Sequence, residues 1–318
     1  MMLDRRTLLM TGAAGLLTSG LRAEEAMEFS GDRTDDLVTL KTAGGKPVLR
    51  YVHDKLPEGE KSPSVPGTCF THPVYTPGGE TVTDLAPADH PHHRGVFCAW
   101  IEVDGEQRGD WWGWGAKAPK EDRLILNREV RVTDASENSV TLRLVNAWRA
   151  GEETVLRERL TLVAREAPGC HLLDYEYRFM PGGRKDVLIG QSPFGGFCYR
   201  ARPRGALTVT GPGGIIDRPN SIYDKTEANW PAARYYDMTY RSPEGKVSGV
   251  AVMDHPSNPL STWHVVRNIH MLNPCIVAQG PVTIPFGDPL YLRYRLVAHD
   301  GDAESVPLEQ LYEDWVNS

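Results

Sequence analysis

The chain has 318 residues and a formal net charge of −7, with 24% charged and 40% hydrophobic residues. An acidic chain lacks the basic face needed by nucleic-acid and anionic-membrane binders, so neither is expected as a partner. Beyond residue 23 no stretch approaches the roughly 18 apolar residues of a membrane helix, so no stable membrane insertion is expected.

The N-terminus is of a different kind. Asp4-Arg5-Arg6-Thr7-Leu8-Leu9 sets paired arginines directly before an apolar run, Leu8 to Leu21, broken only by small residues. A basic start, a short apolar region and a small residue at Ala23 make a signal peptide. The paired arginines point to the twin-arginine export route. Residues 1–23 therefore read as the signal, and the mature protein as periplasmic or extracellular. Cleavage after Ala23 removes Asp4, Arg5, Arg6 and Arg22 and makes the chain two units more acidic.

No Ser/Gly linker, charge block or repeat divides residues 24–318, so one domain is expected. Within it the pattern is period two. Val130-Arg131-Val132, Val140-Thr141-Leu142-Arg143-Leu144, Leu160-Thr161-Leu162 and Leu290 to Leu296 alternate apolar and polar residues. Such alternation gives strands with one face on a core and one in water. Pro77-Gly78-Gly79, Pro181-Gly182-Gly183 and Pro212-Gly213-Gly214 are turns between them. The expected fold is all-β, a large antiparallel β-sandwich, closed by a short C-terminal helix. Ser305 can cap that helix, and Leu308, Leu311, Tyr312 and Trp315 share one face. Cys69, Cys98, Cys170, Cys198 and Cys275 form no Cys-x-x-Cys pair and read as buried thiols, with room for one disulfide after export.

Three clusters can carry chemistry. In Asp89-His90-Pro91-His92-His93-Arg94-Gly95, an extended backbone turns His90 and His92 to one side and His93 to the other. Two such histidines can flank a substrate oxygen or chelate one divalent metal, and Arg94 can hold substrate oxygens. Asp254-His255-Pro256-Ser257-Asn258-Pro259 with Trp263-His264 repeats the Asp-His-Pro sequence after the strand Val247 to Met253. Asp254 and Asn258 can satisfy a turn or bind substrate; histidines His255 and His264 add nothing a turn requires. The third cluster, Asp110-Trp111-Trp112-Gly113-Trp114, offers aromatic faces for sugar rings, or core packing. Asp174 and Glu176, at i and i+2 on the strand Leu172 to Phe179, share a face that is either solvated or an acid–base pair. Gln191, Arg200, Arg202 and Arg267 are further polar candidates. No Gly-x-Ser-x-Gly elbow, phosphate loop or dinucleotide fingerprint occurs.

The two His-Pro motifs, Trp111-Trp112, Trp263-His264 and the closing run Leu292 to His299 resemble the bacterial PmoA-like family over most of the mature chain. That resemblance implies a secreted, mostly β protein among carbohydrate-degradation proteins, similar to the galactose mutarotase-like supersandwich, with histidines and a carboxylate meeting in a sugar groove. The methane-oxygenase label of that family does not fit a chain without a membrane span. The resemblance also implies a Glu-Gly-Gly-Phe-Gly-like stretch, where this chain has Gln191-Ser192-Pro193-Phe194-Gly195-Gly196-Phe197.

The resulting expectation is an exported hydrolase or lyase acting on a glycoside or oxidised sugar. His90, His92, His93, His255 and His264 would be catalytic. Arg94, Trp111, Trp112, Asp254, Asn258 and Glu176 would bind substrate. No cofactor is required, though His90 and His92 could hold a divalent metal. The alternatives are a metal-dependent enzyme using the same histidines, and a non-catalytic carbohydrate-binding protein.

Overall fold

The computed structural model describes residues 28–64 and 68–318. The signal sequence read at residues 1–23 lies outside the described residues. Among the described residues the chain forms three antiparallel sheets of eight, nine and four strands and one α-helix, Leu308–Val316. The all-β sandwich and its C-terminal helix are therefore as expected. No helix among the described residues is long and apolar enough to cross a membrane.

The two large sheets pack face to face. Phe197 of the eight-stranded sheet stacks on Tyr294 of the nine-stranded one, with ring centroids 4.5 Å apart, and meets Tyr175 edge-on at 5.2 Å. Alternation decides these faces. On Cys170–Pro181, Tyr175 and Tyr177 enter the core, while Cys170 and Leu172 point outwards. The outer face is covered by Leu308, Tyr312 and Trp315 of the helix. Pro307, not Ser305, precedes the helix, and Ser305 Oγ instead donates to the carbonyl of Asp302. All five cysteines are buried and free.

The Asp174/Glu176 pair also resolves here. Both point away from the core but do not share a site. Asp174 is buried between Arg295, its cross-strand partner, and Arg165. Glu176 stays exposed and binds Arg293 at 3.2 Å.

One carboxylate lies in the core itself. Glu158, on Glu153–Ala167, accepts from Trp148 Nε1 at 2.8 Å and Asn146 Nδ2 at 2.7 Å. Burial pushes its carboxyl up to about 7, although both donors favour the charged form. The folded chain thus keeps a proton that the unfolded chain has lost above its ordinary value of 4.5. The stability contributed by this proton is fully present below 4.5 and is lost as pH rises through about 7. Glu158→Gln is therefore expected to melt close to the native chain near pH 4.5 and above it near pH 8.5, by on the order of 3 kcal/mol. Thermal unfolding at the two pH values checks this; an equal gap at both would refute it.

Candidate functional site

Strand register builds the floor of the site. In the eight-stranded sheet Cys198 pairs with Phe97, Arg200 with Met271, and His264 with Asn273. Cross-strand partners share a face. Because Phe197 enters the core, Cys198 and Arg200 point to the opposite face. Phe97, Met271, Asn273 and His264 lie on that face with them.

Loops close over this floor. The histidine segment is a turn, not an extended strand: His90 N–H donates to the carbonyl of Pro87, and His93 N–H to that of His90. The expectation of His90 and His92 on one side and His93 on the other fails for this reason. The turn gathers all three rings, with His90 stacked on His93 at 4.9 Å and His92 edge-on to His93 at 4.7 Å. The segment returns to the sheet through Gly95, whose φ is 63° and where a Cβ would meet the carbonyl oxygen of Thr71 at 2.4 Å. Only glycine fits there.

These loops enclose a cavity of about 270 Å³. His90, His92 and His93 form one side; Trp112, Trp114, Phe194 and Tyr223 form the other, with Met271 below. Tyr223 OH lies 3.2 Å from His90 Nε2. His90 Nδ1 lies 3.2 Å from Asp89 Oδ2, close but not aligned as a hydrogen bond. Arg200 Nη2 donates to both Asp89 oxygens at 2.9 and 3.0 Å, and its Nη1 sits 3.4 Å from His93 Nδ1. Burial opposes ionisation of Asp89, but Arg200 and His90 outweigh it and hold the carboxyl below its ordinary range. A Tyr223–His90–Asp89–Arg200 chain therefore runs from the cavity into the sheet. Burial, reinforced by neighbouring cations, presses His92 down to about 3, and burial alone does the same to His264.

His264 stands behind the aromatic wall, 5.3 Å from Phe194 and 5.5 Å from Tyr223. Its Nδ1 meets Asn229 Oδ1 at 3.0 Å, which puts the proton on Nδ1, and its Nε2 has no partner among the described residues.

His255, Asp254, Asn258 and Glu176 are elsewhere. His255 Nε2 accepts from Arg293 at 2.9 Å, and its ring packs on Trp315 of the helix at 5.0 Å. Burial and Arg293 lower it to about 4. Asn258 ties Asp254 to the backbone of Arg293 with bonds of 2.7 Å, and Asp254 and His255 border a separate, shallow depression of about 640 Å³. The two Asp-His-Pro motifs thus occupy different places, and the expected groove between them does not form. The reason is that the strand Val247–Asp254 belongs to the nine-stranded sheet and delivers His255 to the helix.

The tryptophan loop divides its residues. Trp111 is only 3% exposed and donates to the carbonyls of Leu124 and Arg149, so it is no stacking platform. Trp112 lines the cavity although it is 1% exposed, and Trp114, 43% exposed, presents the open face. Gly113 and Gly115, at φ 105° and 79°, turn their N–H groups onto the buried Asp110 carboxylate. Arg94 also lies behind the cavity, donating to the carbonyl of Trp111 at 3.2 Å with its guanidinium 4.7 Å over Phe97. It cannot touch a ligand directly. Of the remaining polar candidates, Arg200 joins the site and Gln191 binds the carbonyl of Ala278. Among the described residues no group of three His, Cys, Asp or Glu side chains is placed to hold a metal ion.

The residues that sequence reasoning missed are Tyr223, Phe194 and the role of Asp89. Tyr223 sits in the loop Ile222-Tyr223-Asp224-Lys225, which carries no local signature.

An all-β sandwich with a cavity on the outer face of one sheet is the class this architecture defines. The chain belongs to DUF6807, a family of unknown function, whose model matches residues 39–313. This corrects the resemblance to the PmoA-like family: the family that matches is DUF6807. No curated protein matches the chain. Among solved structures, it is similar to the galactosidase domain of an α-galactosidase–sucrose kinase, with TM-score 0.47 and 9% identity over 86% of this chain and 42% of that one. A galactose mutarotase-related enzyme from Lactobacillus acidophilus gives TM-score 0.38 and 7% identity over 85% and 97%. A GH36 α-galactosidase from Geobacillus stearothermophilus gives 0.40 and 10% over 88% and 40%. The chain spans about two fifths of the length of these galactosidases. At these values the likenesses bear on neither site nor activity.

The tryptophans provide a direct check on this placement. Trp111→Ala is expected to cost about 3–5 kcal/mol of stability, because it empties a packed site. Trp114→Ala is expected to change stability by only about 0.5 kcal/mol while weakening ligand binding in the cavity. Melting curves and ligand-binding titrations for the two variants measure both; the reverse pattern would move the site.

Proposed function

We propose that this protein is a carbohydrate-active enzyme, exported on the strength of its paired arginines, that moves a proton on a small saccharide or on the end unit of a longer one. The Tyr223–His90–Asp89 chain opening into an aromatic cavity carries this reading. The cavity is near the lower end of small-ligand sites, roughly 300–1,000 Å³. Trp114 and Phe194 offer faces for the apolar side of a sugar ring. Neutral His92 and the phenol of Tyr223 offer partners for hydroxyls.

Of the two reaction classes open to the sequence, elimination suits these residues better. Glycoside hydrolysis commonly uses two carboxyl groups flanking the bond. Among the described residues Asp89 is the one carboxylate lining this cavity, and Arg200 and His90 already engage it. Elimination from an oxidised sugar needs one base that can return its proton. A proton on His90 Nδ1, on the side of Asp89, leaves Nε2 free to accept from Tyr223. The Tyr223 oxygen then takes the proton α to the sugar carbonyl as its own proton passes to His90. The C–H electron pair forms a C=C bond, the β C–O bond breaks, and the leaving oxygen takes a proton back through Tyr223. Asp89 stabilises the imidazolium formed in between.

The test is turnover on a panel of oxidised glycosides, read by the ultraviolet absorbance of the unsaturated product. His90→Ala and Tyr223→Phe are expected to lower kcat by about 10²–10⁴ with the fold intact by circular dichroism. His255→Ala should keep its activity. Undiminished turnover in Tyr223→Phe would end the assignment. Sugar binding without turnover in the native chain would favour a binding protein instead.

A further inference from the structure

The charge around the cavity is not neutral once each acid is matched to its partners. Asp89 is engaged by Arg200 and His90. Asp110 is held by the N–H groups of Gly113 and Gly115 in its own loop. Arg94 makes no such direct contact, although the Asp110 carboxylate favours its charged form from beyond ion-pair distance. Arg94 is 1% exposed, makes one hydrogen bond, to the carbonyl of Trp111, and its Nε has none. No carboxylate among the described residues lies within ion-pair distance of it. Buried charges are ordinarily paired, because desolvation without a counter-charge is costly. Phe97, under the Arg94 guanidinium, touches Trp112 at 4.9 Å, and Trp112 is a wall of the cavity.

Two lysines that follow the tryptophan cluster in the chain add cationic groups nearby. Lys117 Nζ donates to the carbonyl of Gln191 at 2.6 Å, and the Lys120 stem lies against Gly115 beside Trp114. Neither lysine is in an ion pair among the described residues. Of the permanent charges, Arg94, Lys120 and Arg200 bear on the His92 ring, and all three are cationic. This occurs in a chain whose overall charge is −7. A cavity with low-dielectric aromatic walls focuses such a field on its contents.

We infer that the saccharide this cavity takes is anionic, bearing a carboxylate or a sulfate ester, and that Arg94 with Lys120 supplies its counter-charge without touching it. The inference rests on the carbohydrate reading above and narrows its substrate class. In the elimination proposed there, a carboxylate beside the reacting carbon is also the group whose charge grows as the α-proton leaves. A cationic background lowers that cost.

Calorimetric titration of the full chain with glucose, glucuronate and glucose 6-sulfate at low and high salt tests this. At least one anionic sugar should bind about tenfold tighter than glucose, with a preference that shrinks as salt rises. The carboxylate and sulfate arms tell the two anion sources apart. Lys120→Gln, at an exposed position, should cut the preference about two- to threefold with unchanged melting. Arg94→Met, if it folds, should abolish it while glucose binding persists. Equal or tighter binding of glucose would overturn the inference, yet leave the carbohydrate reading standing where His90→Ala or Trp114→Ala weakens that binding. Binding of none of the three sugars would overturn both.

Discussion

The guanidinium of Arg200 fastens the histidine loop to the fold. It stands on the outer face of the eight-stranded sheet, 2% exposed, and reaches both oxygens of Asp89 and the ring of His93. A planar fork fixes orientation as well as distance, which a lysine at this position could not do. The histidine turn is also tied down by the N–H groups of Ser64 and Ala86, which donate to the carbonyls of Pro91 and His93, and by Tyr223 against His90. The strand supplies rigidity and the loop supplies chemistry. The position of Arg200 in turn depends on register, since a slip of one residue would send it into the core beside Phe197.

What was legible in the sequence follows from this division. Alternation along Val140 to Leu144 or Leu290 to Leu296 states directly which face is apolar, so the sandwich could be read. The density of histidines from His90 to His93 marked the loop that lines the cavity, because nothing structural demands three imidazoles in four residues. The conformation of that loop was not legible. Extended geometry was the default for the segment, whereas Pro91 and the hydrogen bonds of Pro87 and His90 make a turn. Tyr223 was hidden for a different reason. It reaches His90 across more than 130 residues of chain, and a lone tyrosine in a polar loop looks like any other. In the tryptophan loop the aromatic content was visible but the division of labour was not. Which ring is buried depends on the carbonyls of Leu124 and Arg149, on strands that the local sequence cannot name.

The second Asp-His-Pro motif misled because its composition copies the first while its neighbours differ. His255 ends a strand of the nine-stranded sheet, where Arg293 and Arg295 project towards the helix and lie over Trp315. Glu176 and Asp174 neutralise these two arginines from the adjacent strand. The motif is thus part of a polar seam that joins helix to sheet, and Asn258 closes it by bonding both Asp254 and the backbone of Arg293. Histidine serves there as a neutral acceptor for an arginine, a use that turn chemistry alone would not require.

The close packing of the first cluster has an electrostatic condition. Three imidazoles with centroids 4.7–5.6 Å apart cannot all be charged at acceptable cost. Burial resolves the conflict by keeping His92 and His93 neutral, pressing both below the ordinary histidine value. His90 alone of the three faces a carboxylate, Asp89. The same burial leaves the arginines as the permanent cations near the cavity, because a guanidinium stays protonated where an imidazole does not: Arg94 is lowered only to about 10. Proton transfer and fixed charge are thereby assigned to different side chains. In the function proposed above, the arginines balance a ligand's negative charge while the proton moves along Tyr223 and His90.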